Sequence, residues 1–474
     1  MTEIASGASP TKVKPMMGLY RTIWRWHFYA GLVTAPFMLI LAVTGAIYLF
    51  NDEITDAFYP QQRFVAVAPD LPVSRLIGAA LADYPGGSAT RIDMPVEPGR
   101  SAVVFVTPAK GDPERVYVDP GTAQVLGRFI YTRTLVGFAD VFHGSLMLGD
   151  RGDAVVELMA CWGLILVVTG LYLWWPRNGR GLIGVVLPRF PARGRMFWRD
   201  LHAVTGVWTA LLIAFLILTG LPWATVWGGL LKQGTDALGI GYPANHRLHG
   251  ATPATPSAAP PRTMIQTMGE APWTLEDKPV PVSDPHAEHR GGGAGMTMAA
   301  ASHGIDVDGA VAALHRSGMT SAYRLSLPKG PDGVYTAYTY PARPEGQRTL
   351  HVDQYSGRIL GDVKYADYGW AAKGVELGVQ LHMGNYFGSA NQILMLIACM
   401  GVILLSITGP IMWWKRRPKG RLGAPRELAP LKMRTMALIT LGLGLIFPLA
   451  GASLALLLIL DKSVQSLWTW ASRV

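Results

Sequence analysis

Five apolar stretches, roughly 27–50, 154–175, 201–222, 391–414 and 435–460, dominate the chain. Each reaches the ~20 residues that an α-helix needs to cross a hydrocarbon layer of ~30 Å. Lipid offers backbone groups no partner, so such stretches predict helices, which satisfy their own N–H and C=O groups. Composition agrees: only 16% of the residues are charged, against about 25% in ordinary soluble domains. The 15 Trp and 34 Pro exclude a coiled coil, and the 50% hydrophobic share excludes a disordered chain. Cys161 and Cys399 each lie inside an apolar stretch and offer no disulfide framework, zinc site or Cys-x-x-Cys-His motif.

The net charge of +10 is unevenly spread. Residues 1–26, 176–200 and 415–434 hold 18 of the 42 Lys and Arg but only 3 of the 32 acids, which leaves 24 bases against 29 acids elsewhere. Basic excess in short segments beside spans is the positive-inside pattern, not a nucleic-acid surface. It places the N-terminus (1–26) and the loops 176–200 and 415–434 in the cytoplasm, with 51–153 and 223–390 outside. The tail 461–474, with Trp468 and Trp470, then ends at the outer interface. The first stretch exceeds the 7–15-residue core of a cleavable signal and reads as a retained anchor.

The chain repeats itself. His27, Gly31, Thr44 and Gly45 have the spacing of His202, Gly206, Thr219 and Gly220, with gaps of 4 and 17 residues from His to the first Gly and to Thr. His143, Gly149, Thr169-Gly170 and Trp174-Trp175 have that of His382, Gly388, Thr408-Gly409 and Trp413-Trp414, with gaps of 6, 26 and 31. A two-span unit has been duplicated, each copy enclosing an outer segment. Those segments repeat as well: Asp119 precedes Gly127, and Asp353 precedes Gly361, by eight residues. Stretches such as 102–106 and 334–338, punctuated by Gly-Asp-Pro and Pro-Asp-Gly, predict small α+β domains. The second carries a surplus, 244–304, rich in Pro, Ala, Gly and His, which reads as an irregular loop. The expected fold is an α-helical membrane bundle of about five spans with two outer α+β domains.

Among the eleven His, the four at repeated positions stand out. An ionisable group at a membrane boundary is a functional candidate. With this topology His27 and His202 lie near the cytoplasmic face, and His143 and His382 near the outer face. Two imidazoles facing across a helical bundle can ligate a haem iron from both sides. The bland alternative is interfacial histidines bonded to headgroups. The Thr-Gly pairs serve either close approach of a flat macrocycle or plain helix packing. The Trp pairs read as an aromatic belt, and Arg25, Arg177, Arg199 and Lys415 are candidate propionate partners that the positive-inside rule also explains. Gly179-Arg180-Gly181-Leu182-Ile183-Gly184 matches a dinucleotide fingerprint but follows a span rather than a strand. His286, His289, Met296, Met298 and His303 form a possible soft-metal group in the surplus loop, which also holds His246 and His249.

The run Trp24-Arg25-Trp26-His27-x3-Gly31 with Thr44-Gly45 is followed by His143-Gly144-x4-Gly149 and Thr169-Gly170-x3-Trp174-Trp175-Pro176-Arg177. Together these resemble the PepSY-associated transmembrane helix family, and the segments ending at Val118-Asp119-Pro120 and Val352-Asp353 resemble its PepSY domains. The resemblance runs from about 18 to 420; the stretch 435–460 and the His/Met loop depart from it. It implies a bacterial inner-membrane protein with periplasmic PepSY domains and two b haems, on His27/His202 and His143/His382. It further implies reduction of a periplasmic ferric siderophore, or another metal chelate, with electrons from quinol or a cytoplasmic reductase. Two other classes are open: a permease or accessory subunit for metal uptake, and a membrane-anchored PepSY module that regulates a protease. The absence of a mid-membrane acid or base weighs against the permease.

Overall fold

The computed structural model describes residues 15–176, 185–189, 193–242, 262–269, 271–283, 304–418, 423 and 433–471. The chain divides into two compact units, one of residues 1–45, 143–227 and 395–474, the other of 46–142 and 228–394.

The first unit is helical. Among the described residues four helices are long and apolar enough to cross a membrane: Leu19–Leu49, Asp150–Trp174, Arg195–Trp223 and Ser389–Arg416. The second span opens after Gly149, whose φ of 58° turns the chain, and Asp150 and Asp153 in its first turn suit the positive end of the helix dipole. The fourth closes on Lys415 and Arg416, which suit the negative end. Small residues bring the spans together. A Cβ on Gly163 would come within 3.2 Å of Ile217 on the third span and Met38 on the first. Two turns into the second span, Glu157 is 1% exposed. Its carboxylate accepts the backbone N–H groups of Val226 (2.8 Å) and Trp227 (3.1 Å), which open the helix Thr225–Ala237 after the third span.

The expected fifth span, 435–460, is not one helix. It is two, Met433–Ile446 and Pro448–Ala471, packed on each other. Pro448 has no N–H for the helical ladder, and its ring clashes with the carbonyl four residues back. Gly444 and Gly451 then meet so closely that a Cβ on Gly451 would collide with the Gly444 backbone. The described apolar pieces, Ala437–Ile446 and Pro448–Leu460, are each too short to cross a bilayer unaided.

The second unit is built on one antiparallel sheet. Its strands are β1 (Ser88–Asp93), β2 (Ala102–Thr107), β3 (Glu114–Val118), β4 (Val125–Phe129), β5 (Tyr323–Ser326), β6 (Val334–Thr339), β7 (Arg348–Asp353) and β8 (Ile359–Lys364). Their order is β4-β3-β2-β1-β5-β6-β7-β8. The two outer segments, expected as separate domains, are therefore the two halves of a single sheet. They join where Arg91, Ile92 and Asp93 of β1 pair with Ser326, Leu325 and Arg324 of β5. Helices Val73–Leu81 and Val307–Arg316 lie in equivalent places in the two halves and share one core. Leu76, Ile92, Leu314 and Leu325 are fully buried in it.

The two halves differ on the other face. In β2 burial alternates, whereas in β6 five successive residues are buried. The cover on β6 and β8 comes from helix Trp370–His382 and from residues 262–283, through Met264, Met268, Leu275 and Val280. This corrects part of the irregular-loop expectation for 244–304. Residues 262–283 include a helix, Met264–Met268, with a capping box between Thr263 and Gln266, and they bury Trp273 to 2% exposure. Apolar side chains scattered among prolines suffice to dock a segment without regular periodicity.

Candidate functional site

Three of the four repeated histidines belong to the helical unit, and each is half-buried. His27 on the first span points its Nδ1 at the Thr169 hydroxyl of the second, at 2.8 Å. His202 on the third span does the same with Thr408 of the fourth, also at 2.8 Å. His143 ends its own helix, Leu135–Ser145, and sets Nδ1 at 2.9 Å from the Leu41 carbonyl and 3.2 Å from the Thr44 hydroxyl.

These contacts fix the tautomer. The Thr169 hydroxyl donates its one proton to the Ile165 carbonyl at 2.7 Å, and that of Thr408 to Leu404 at 2.6 Å. A threonine oxygen already donating along its own helix can only accept from the imidazole, so Nδ1 of His27 and of His202 carries the hydrogen. A carbonyl can only accept, so Nδ1 of His143 carries it as well. All three rings thus present Nε2 as a bare lone pair, the form in which neutral imidazole ligates a metal.

The glycine after each threonine seats the ring. A Cβ would stand 3.0 Å from His143 Cε1 at Gly45, 3.3 Å from His27 Cε1 at Gly170 and 3.7 Å from His202 Cε1 at Gly409. The repeated Thr-Gly pair is therefore a histidine seat, with a hydroxyl for Nδ1 and a bare backbone for the ring edge. The sequence displayed the pairs but not this role. The one available hint was that a threonine precedes the glycine every time.

Arg416, on the same helix as the Thr408 that seats His202, lies over the Trp24 and Phe28 rings that flank His27, so the two histidines belong to one end of the bundle. His143 sits against Thr44, and the 17 residues from His27 to Thr44 on one helix span about 25 Å at 1.5 Å per residue. The helical unit thus holds histidine seats at two well-separated heights. His382 ends helix Trp370–His382 in the second unit and is half-buried there. No group of three or more His, Cys, Asp or Glu among the described residues is placed to hold a bare metal ion. An imidazole whose Nδ1 hydrogen is held by an oxygen has the donor chemistry that a haem iron takes.

Other candidates fall elsewhere. Arg199 is engaged by the fully buried Asp200 at 2.7 Å. In each Trp pair one ring turns outward, Trp175 at 65% and Trp414 at 62% exposure, as an interfacial belt requires. The fingerprint at 179–184, Arg177 and the residues His246, His249, His286, His289, Met296, Met298 and His303 lie outside the described residues.

Spanning helices with seated histidines and an antiparallel α+β unit define an integral membrane protein of two parts. The family described as the PepSY-associated TM region matches residues 24–416, and the chain belongs to that family. None of the curated proteins compared with the chain matches it significantly.

Proposed function

We propose that the protein is a bacterial inner-membrane di-haem b metalloreductase whose sheet unit faces the periplasm, where a ferric siderophore or similar chelate is reduced and Fe(II) released. The observation that carries the reading is the commitment of Nδ1 on His27, His202 and His143 to oxygen acceptors, which leaves each Nε2 free to hold a metal. By the internal repeat, His27 pairs with His202 at the basic end of the bundle and His143 with His382 at the other. Bound haem would supply reversible one-electron chemistry. The protein's own residues do the rest. The threonines hold the imidazoles in one tautomer and orientation, the glycines give them room, and the apolar spans exclude water. Quinol or a cytoplasmic reductase would supply the electron, and the chelate's Fe(III) would accept it. Hard-oxygen ligands hold Fe(II) less tightly than Fe(III), so the metal leaves.

The permease alternative needs a titratable group free along the spans. Glu157 is occupied by the Val226 and Trp227 amides, and Asp200 by Arg189 and Arg199, which weighs against it. The test uses sealed vesicles containing the purified protein, with a reductant inside and a ferric siderophore plus a ferrous-specific dye outside. Colour should form only with the protein present, and His27→Ala should abolish it. Chelate uptake without an internal reductant would instead favour the permease.

A further inference from the structure

At the basic end of the helical unit, Arg416 closes the fourth span with its guanidinium over two rings of the first, Trp24 at 4.8 Å and Phe28 at 5.3 Å. Those rings flank His27 in sequence. One Nη donates to the Gly423 carbonyl at 3.0 Å, but Nε is buried without a partner among the described residues. A buried donor left unmet is costly, the more so when the group is charged. Arg195 opens the third span as Arg416 closes the fourth, and no carboxylate among the described residues pairs with either. The nearby acid, Asp200, is taken by Arg189 (2.6 Å) and Arg199 (2.7 Å). Two gathered cations with a buried unmet N–H form a place for an oxyanion.

The position of this place identifies the oxyanion. Arg195 stands seven residues before His202, which is two turns along one face of the third span and about 10 Å. Thr408, which seats His202, stands eight residues, or about 12 Å, before Arg416. The cations therefore lie below the histidine level, toward the polar end of the bundle, where the acidic edge of a flat ligand held at that level would emerge. A lipid phosphate approaching from outside would reach the exposed Arg195 but not a buried Nε.

We infer that Arg416, helped by Arg195, binds a carboxylate: a propionate of the haem proposed for His27 and His202. The inference rests on that reading of the site. Arg416 is then a positioning residue that would hold the bound haem in one orientation.

The test titrates haem, and separately haem dimethyl ester, into full-length apoprotein in detergent, following the Soret band. Wild type is compared with Arg416→Gln, Arg416→Lys and Arg195→Gln. Arg417→Gln is the control, because Arg417 is exposed and stacks at 3.6 Å on Trp414. A charge-assisted bond of about 1.5–3 kcal/mol predicts a roughly 10- to 100-fold loss of haem affinity at one of two sites in Arg416→Gln. The lysine variant should recover part of the loss and Arg417→Gln none of it. The ester should bind wild type as weakly as haem binds Arg416→Gln, and Arg416→Gln should not weaken the ester further. Equal losses for haem and ester would make Arg416 merely structural and overturn the inference, as would unchanged affinity for both. Unchanged haem affinity with loss of an anionic-lipid adduct in native mass spectra would assign the place to lipid phosphate instead. A wild type that binds two haems while Arg416→Gln is silent defeats this inference alone. A wild type that takes up no haem defeats the functional reading, and this one with it.

Discussion

Which nitrogen an imidazole offers a metal is fixed by what claims the other, and here threonine and backbone oxygens make that claim. The seat also depends on bare backbone, to a graded degree. With 3.0 Å available over Gly45 and 3.7 Å over Gly409, Gly45→Ala should displace His143 whereas Gly409→Ala leaves His202 in ordinary contact. Haem content should therefore drop in the first variant and hold in the second; equal content in both would contradict the seat. A different residue governs the response to pH. Burial raises Glu276 from the ordinary 4.5 to about 7, against the pull of Lys232 at 2.5 Å. The folded protein then binds that proton more tightly than the unfolded chain, so its contribution is full below about 4.5 and is lost as pH rises toward 7. Glu276→Gln should flatten the fall of Tm across that window, with Glu376, also raised by burial, keeping the remainder. An unchanged slope would contradict the assignment. At this scale the sequence made the histidines and glycines visible through their spacing. The role of the threonines was hidden, because each bond joins residues 99 to 206 positions apart on different helices.

Among the elements, the duplicated hairpins are the clearest case of a repeat with one flaw. Asp119 Oδ1 accepts the Gly121 N–H in the β3–β4 turn, and Asp353 Oδ1 accepts the Tyr355 and Ser356 N–H groups in the β7–β8 turn. Four residues after each aspartate the chain enters the left-handed region, at Gly357 with φ 68° and at Ala123 with φ 60°. Glycine adopts that conformation without strain, but alanine does not. Ala123→Gly should stabilise the sheet unit by up to about 1 kcal/mol and Gly357→Ala destabilise it by about as much, read as opposite shifts in Tm. Shifts of the same sign would remove the equivalence of the turns. The aspartate-to-glycine spacing revealed in advance that the two segments repeat, though not that each is a hairpin. The break at Phe447–Pro448 was as plainly signalled by its proline, yet an unbroken apolar run outweighs a single residue when length is the criterion.

For the whole molecule, duplication has a different outcome in each unit. In the sheet unit the two copies fuse edge to edge through β1 and β5, a pairing over 230 residues that no local pattern announces. In the helical unit the copies stay distinct, and each repeats the same bond from histidine to threonine. Apolar length and spacing made the spans and the duplication legible. The joining of the sheet halves was not, because strand register between distant segments is set by packing. The central claim is that histidines seated at two heights each leave Nε2 for haem iron. It is tested most directly by the oxidised and reduced absorption spectra, with haem counts, of the purified full-length protein and of its His27→Ala, His202→Ala, His143→Ala and His382→Ala variants. The account predicts two b-type haems in the wild type, loss of one and the same haem on changing His27 or His202, and loss of the other on changing His143 or His382. A colourless wild type after expression with added haem would contradict it, as would four variants that keep both haems.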